Sequence, residues 1–184
     1  MIFIIVWSIW FISEILLNII LRSGKNDKKD KDKGTIRIIW ISIAIANTLG
    51  ILFSIFFRIP ISNLLIVPYY GLILIVVGMI IRFISIWSLG KFFTVDVTIR
   101  ENHTIKKDGI YRIIRHPSYS GSILSFIGFG ITLNNWMSLI IITVLITYAM
   151  LNRIKIEESA LIDQFGEDYL IYMKNTCRII PWIY

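Results

Sequence analysis

Residues 118–152 read SYSGSILSFIGFGITLNNWMSLIIITVLITYAMLN, a run without one charged side chain. A membrane-spanning helix needs ~20 apolar residues to cross ~30 Å of hydrocarbon, so this run is too long for a single span. Asn134-Asn135 near its middle is a turn signal, because a short amide side chain bonds the neighbouring backbone and tolerates left-handed conformations. The stretch therefore predicts a helical hairpin with arms Ile123 to Leu133 and Trp136 to Leu151. Both arms are short for the hydrocarbon core, which places the turn within protein or in a thinned part of the bilayer.

The remainder of the chain agrees with a membrane class. It is 56% hydrophobic with a mean hydropathy of +0.73, and no separate soluble core is expected. Met1 to Leu21 is apolar except for Glu14 and lacks a basic n-region and a small-residue cleavage site, so it reads as a retained first span. Ile38 to Phe57 is an uncharged second span, and Leu64 to Leu89 a third, joined by a short connection containing Pro60. Glu14 and Arg82 each lie seven residues before the end of their span, ~10 Å below the same membrane face at 1.5 Å per residue. They can pair as a structural couple, or stand beside a substrate cavity. After Asn152 no Gly or Pro appears until Gly166, so the last span continues beyond the membrane as a helix. Leu161, Phe165 and Tyr169 follow at a spacing of four, an apolar stripe suited to the bilayer surface or to packing on segment 90–117.

The fold class these features define is an all-α, polytopic integral membrane protein of about five transmembrane helices, with an amphipathic carboxyl-terminal helix. Residues 1–184 form one membrane domain, with three spans in 1–89 and a functional core in 90–184. Seven Lys and Arg fall in 22–37, six in 90–117 and four in 153–184, with Arg58 opposite them and Arg82 inside a span. The positive-inside rule then puts all three basic segments, and any pocket they enclose, in the cytoplasm and the amino terminus outside. The segment 22–37 also suits contact with acidic lipid or a partner. Topology accounts for the basic balance, so no nucleic-acid partner is invoked. A single cysteine, Cys177, and two histidines without ligand spacing imply no intramolecular disulfide and no metal.

Residues 103–121, HTIKKDGIYRIIRHPSYSG, form a polar and aromatic island that holds both histidines. Proline directly after Arg115-His116 suits the first position of a helix, which leaves His116 and the first helical amides facing whatever the island encloses. Gly109, Tyr111, Arg115, His116, Pro117, Tyr119 and Gly121 match the pattern of the isoprenylcysteine carboxyl methyltransferases, which this stretch resembles. A second block agrees downstream: Arg153, Glu157 and Glu158, then Phe165, Gly166, Glu167, Tyr169 and Tyr172, then Arg178 and Pro181. The resemblance covers roughly 90–184. Ile105 and Ile110 depart from the Leu and Pro common at those positions.

That resemblance implies a membrane methyltransferase using S-adenosylmethionine. It implies cofactor binding by His103, Thr104, Ile105, Lys106, Tyr111, His116, Pro117, Ser118, Tyr119 and Glu157, with Arg153 holding the substrate carboxylate and Glu157 the second catalytic residue. The implied acceptor is a lipidic carboxylate such as a prenylated cysteine, entering from the bilayer. A cofactor with a sulfonium, a flat adenine, hydroxyls and an amino-acid end suits tyrosine faces, a carboxylate and loop amides. Arg153 and Glu157, four apart on one helix face, equally suit a plain ion pair, and His116 a loop cap. Glu158 or His116 would assist an amine acceptor, whereas a carboxylate needs no base. A phospholipid amine methyltransferase, a sterol-reductase-like enzyme using NADPH and a non-catalytic scaffold are the rival readings. Asp96, Glu14 and Arg82 carry no assigned role.

Overall fold

The computed structural model describes residues 1–21, 34–93 and 104–181. Six α-helices follow in order: α1 (Ile2–Ile20), α2 (Thr35–Phe56), α3 (Val67–Leu89), α4 (Pro117–Thr132), α5 (Trp136–Phe165) and α6 (Glu167–Lys174). Short 3₁₀ turns cover Gly90–Phe92 and Gly109–Arg112. The only pairing of strand type among the described residues is an isolated parallel bridge between Ile114 and Cys177. The expected all-α membrane architecture is therefore present.

Among the described residues four helices, α1, α2, α3 and α5, are long and apolar enough to cross a membrane. The expectation of about five spans meets its limit in α4, whose 16 residues reach only ~24 Å. The predicted hairpin is α4 and α5, and its turn is held by protein. Asn134 takes the left-handed conformation at φ 46°, and its side chain exchanges hydrogen bonds with the Ser62 backbone at 2.9 and 3.2 Å. Asn135 caps α5 by accepting from the Ser138 amide at 3.1 Å and donates to the Phe57 carbonyl. The short α4 is thus bound at its far end to the connection between α2 and α3.

The tightest seam joins α3 to α4 through glycines seven residues apart on both helices. Gly71 faces Gly128 and Gly78 faces Gly121, the antiparallel order. A Cβ on Gly71 would lie 2.5 Å from the Gly128 carbonyl oxygen, and one on Gly78 would lie 2.5 Å from that of Gly121. Small residues permit such backbone approach, which replaces the hydrophobic drive that helices lack inside lipid. Around the seam, Trp10 of α1 meets Phe126 edge to face at 4.8 Å, and Ile75, Ile142 and Ile146 are almost fully buried.

At the opposite end of the bundle, α5 runs 30 residues, so ~15 Å of it continues beyond a ~30 Å core. This is the predicted extension. It stops at Gly166, whose φ of 56° turns the chain into α6. The apolar stripe is consequently split between two helices, and it does not lie along the bilayer surface: Leu161, Phe165 and Tyr169 all line the internal cavity. Exposed aromatics at both ends of α3, Tyr69, Tyr70 and Trp87, stand ~25 Å apart, as interfacial side chains do.

Candidate functional site

Three segments converge at the end of α5. Segment 104–116 leads into α4 at Pro117 and is clamped by the carboxyl-terminal stretch 175–179. Arg115 is the centre of the clamp. Its amide donates to the Cys177 carbonyl at 2.8 Å, its Nη1 donates to the Met173 carbonyl at 2.9 Å and to the Thr176 carbonyl, and its Nε meets Glu158 at 3.1 Å. Arg178 closes on the same carboxylate at 2.7 Å, and His116 Nε2 lies 3.3 Å from it. Glu158 is 3% exposed, so its charge is buried but met by two guanidiniums and an imidazole.

The start of α4 sits where the sequence places it: His116, Pro117 and Ser118 line the cavity, while the amides of Tyr119 and Ser120 donate to the His116 carbonyl and that of His116 to the Arg178 carbonyl.

The polar side chains there form a linked set. Tyr111 is buried and donates to the Ser85 carbonyl at 3.2 Å, while its own carbonyl accepts from Tyr172 at 2.6 Å. Burial, reinforced by the Glu157 charge, pushes the Tyr111 phenol up, so it remains a donor. Tyr119 stands between Arg153 and Glu157: its hydroxyl accepts from Arg153 Nε at 3.0 Å and donates to Glu157 at 2.8 Å. Arg153 is 3% exposed, and its Nη1 donates to Thr35 Oγ1 at the start of α2. His116 Nδ1 is 4.0 Å from Glu157.

The predicted residues divide clearly. Ile105, Lys106, Tyr111, His116, Pro117, Ser118, Tyr119, Arg153 and Glu157 line one cavity. Thr104 is exposed and does not line it, Lys106 also pairs with Asp108 at 3.0 Å, and His103 and Asp96 lie outside the described residues. Glu158 faces the clamp. Glu14 and Arg82 do pair, at 2.8 Å, and both line the cavity, with Arg82 Nη1 also donating to Ser118 Oγ at 2.9 Å. Sequence reasoning missed Thr35, Asn18 and Trp10, which have no motif around them; it also missed the clamp role of Arg115, although Arg115 stood in the matched pattern.

The cavity encloses about 1510 Å³ of empty space, part of it open to solvent. Beyond its polar end it continues as an apolar arm between α1 and α2, lined by Trp10, Phe11, Ile39, Trp40 and Ile43. Phe11 and Trp40 meet edge to face at 6.5 Å across this arm. Its lining, polar at one end and apolar along the arm, suits one polar and one lipidic reactant.

Fold and site together define a polytopic membrane protein with a mainly apolar chamber that carries a polar end, at one end of its bundle. Its residues 71–163 match the isoprenylcysteine carboxyl methyltransferase family, and the chain belongs to that family. It is 34% identical over 119 residues to protein-S-isoprenylcysteine O-methyltransferase A of Arabidopsis thaliana, covering 64% of this chain and 60% of the relative. It is 32% identical over 115 residues to the corresponding protein of Saccharomyces cerevisiae, covering 61% and 48%. A solved structure of the eukaryotic intramembrane Ras methyltransferase ICMT superimposes with a TM-score of 0.65 at 27% identity, over 78% of this chain and 52% of the other. The chain thus spans about half to three-fifths of the length of these relatives.

Proposed function

We propose that this chain transfers a methyl group from S-adenosylmethionine to the carboxylate of a lipidic acceptor, in the first instance a C-terminal isoprenylcysteine. The observation that carries the reading is the single cavity in which Tyr111, His116, Tyr119 and Glu157 meet an apolar arm, with Arg153 tied to both parts. The donor set fits the cofactor. Tyrosine faces suit a sulfonium or an adenine, and the partly exposed Glu157 suits hydroxyl or ammonium groups. Ile105, Lys106, Tyr111, His116 to Tyr119 and Glu157 would hold it, and when bound it supplies an electrophilic methyl group.

The residues of the chain then have little proton chemistry to perform. A terminal carboxylate with a pKa near ~3.5 is ionised at neutral pH and attacks without a base. Arg153 orients it through a planar fork, and the apolar walls of Trp10, Ile39 and Trp40 keep water from the nucleophile. Glu158 is occupied by Arg115, Arg178 and His116, which supports a carboxylate acceptor over an amine that would have to lose a proton. Family membership supports the methyl donor over NADPH. The distribution of basic residues supports a cytoplasmic face for the site end and an outside amino terminus.

Purified protein in detergent, given methyl-labelled S-adenosylmethionine, an S-farnesylcysteine derivative with a free carboxylate and phospholipid, is expected to form a labelled methyl ester that releases methanol on base treatment. Base-stable label on a phospholipid headgroup would transfer the assignment to amine methylation, and no label in either acceptor would reject it.

A further inference from the structure

We infer that Thr35, the first residue of α2, is a positioning residue for Arg153 and so for the acceptor carboxylate, an inference that rests on the carboxyl-methylation reading above. Thr35 lies outside the segment that matches the family and is 5% exposed. Its Oγ1 accepts from Arg153 Nη1, while Nε of the same guanidinium donates to the Tyr119 hydroxyl at 3.0 Å. A planar group held at one nitrogen still swings about that bond; contacts at two nitrogens fix its plane, and with it the direction of the fork offered to a carboxylate.

The two contacts come from different helices, Tyr119 from α4 and Thr35 from α2. Tyr119 also donates to Glu157 at 2.8 Å, which ties it to the polar end. Thr35 begins the helix whose next turns, through Ile36, Ile39, Trp40 and Ile43, line the apolar arm. α2 therefore carries both a wall of the arm and one of the two contacts that fix the plane of the Arg153 guanidinium.

Thr35→Val removes the oxygen and keeps the branched shape, whereas Thr35→Ser keeps the oxygen. With a prenylated carboxylate acceptor, Thr35→Val should lower kcat/KM roughly ten- to hundred-fold, the scale of one lost charge-assisted hydrogen bond, and leave S-adenosylhomocysteine affinity unchanged. Thr35→Ser should restore most of the loss. Combined with Arg153→Lys, Thr35→Val should cost little beyond the more damaging single change, because both act on one contact. Wild-type kinetics in Thr35→Val, losses that multiply in the double variant, or a loss of cofactor affinity that Ser does not rescue would each overturn the role of Thr35 alone. A wild-type protein that methylates no carboxylate acceptor would overturn the underlying reading and this inference with it.

Discussion

Tyr119 is the residue through which the two halves of the site communicate, because one hydroxyl accepts from Arg153 and donates to Glu157. Tyr119→Phe should therefore weaken both S-adenosylhomocysteine binding and acceptor turnover, as calorimetry and steady-state kinetics would register. Arg153→Lys keeps the charge but loses the fork, so it should lower acceptor kcat/KM roughly ten- to hundred-fold with little change in cofactor affinity. An equal loss of cofactor affinity in Arg153→Lys would make that arginine a buttress of Glu157. Glu158 obeys different rules: it is buried against Arg115 and Arg178, and Glu158→Gln would strand two guanidiniums. Breaking a buried ionic cluster costs about 3–5 kcal/mol, so thermal unfolding in detergent should occur at lower temperature even with cofactor absent. The helical spacing of Arg153 and Glu157 was legible in the sequence because both lie on α5. The phenol between them was not, since Tyr119 reaches them from another helix and spacing along the chain carries no trace of that approach.

Among the elements, the α3–α4 seam sets how far the polar island can stand from the rest of the bundle. Gly78 allows a Cβ no room: it would lie 2.3 Å from Ser125 Oγ and 2.5 Å from the Gly121 carbonyl oxygen. Gly78→Ala should force the helices apart and destabilise the fold by about 1–3 kcal/mol, the usual cost of overpacking, which a detergent-denaturation midpoint would show. Glycine at position 90, where a Cβ meets nothing within 4 Å, offers no such steric test despite its φ of 55°. The hairpin, its Asn134-Asn135 turn and the run of α5 past the membrane were legible because each is written in local polarity and turn chemistry. The seam was harder to read. Its seven-residue glycine spacing is visible on both helices, but which two helices share it depends on tertiary pairing. The split of the apolar stripe escaped for a related reason: period-four apolar residues continue across Gly166, while the backbone does not.

At the scale of the whole molecule, the site end and the turn end are separated by the bundle, and their sidedness is open to direct measurement. In a Cys177→Ser background, cysteine at Arg58 should react with an impermeant thiol reagent in intact cells, and cysteine at Lys174 only after the membrane is opened. The reverse pattern would invert the proposed orientation. Both positions are exposed, which makes the comparison fair. The expected orientation rests on the charge count, because topology responds to where Lys and Arg lie more than to how the helices pack.

The Glu14–Arg82 pair also orders events during synthesis. Glu14 leaves the ribosome with α1, long before the guanidinium that meets it at 2.8 Å has been translated. In that interval α1 carries an acidic group into lipid with no counter-charge, at a cost of a few kcal/mol on insertion scales. The first helix should accordingly remain weakly held until α3 arrives, and nascent chains truncated after residue 60 should release α1 to alkaline extraction more readily than chains extended past residue 90. Glu14→Gln should remove most of that difference, so the charge that pairs inside the finished chamber is also what delays its first wall.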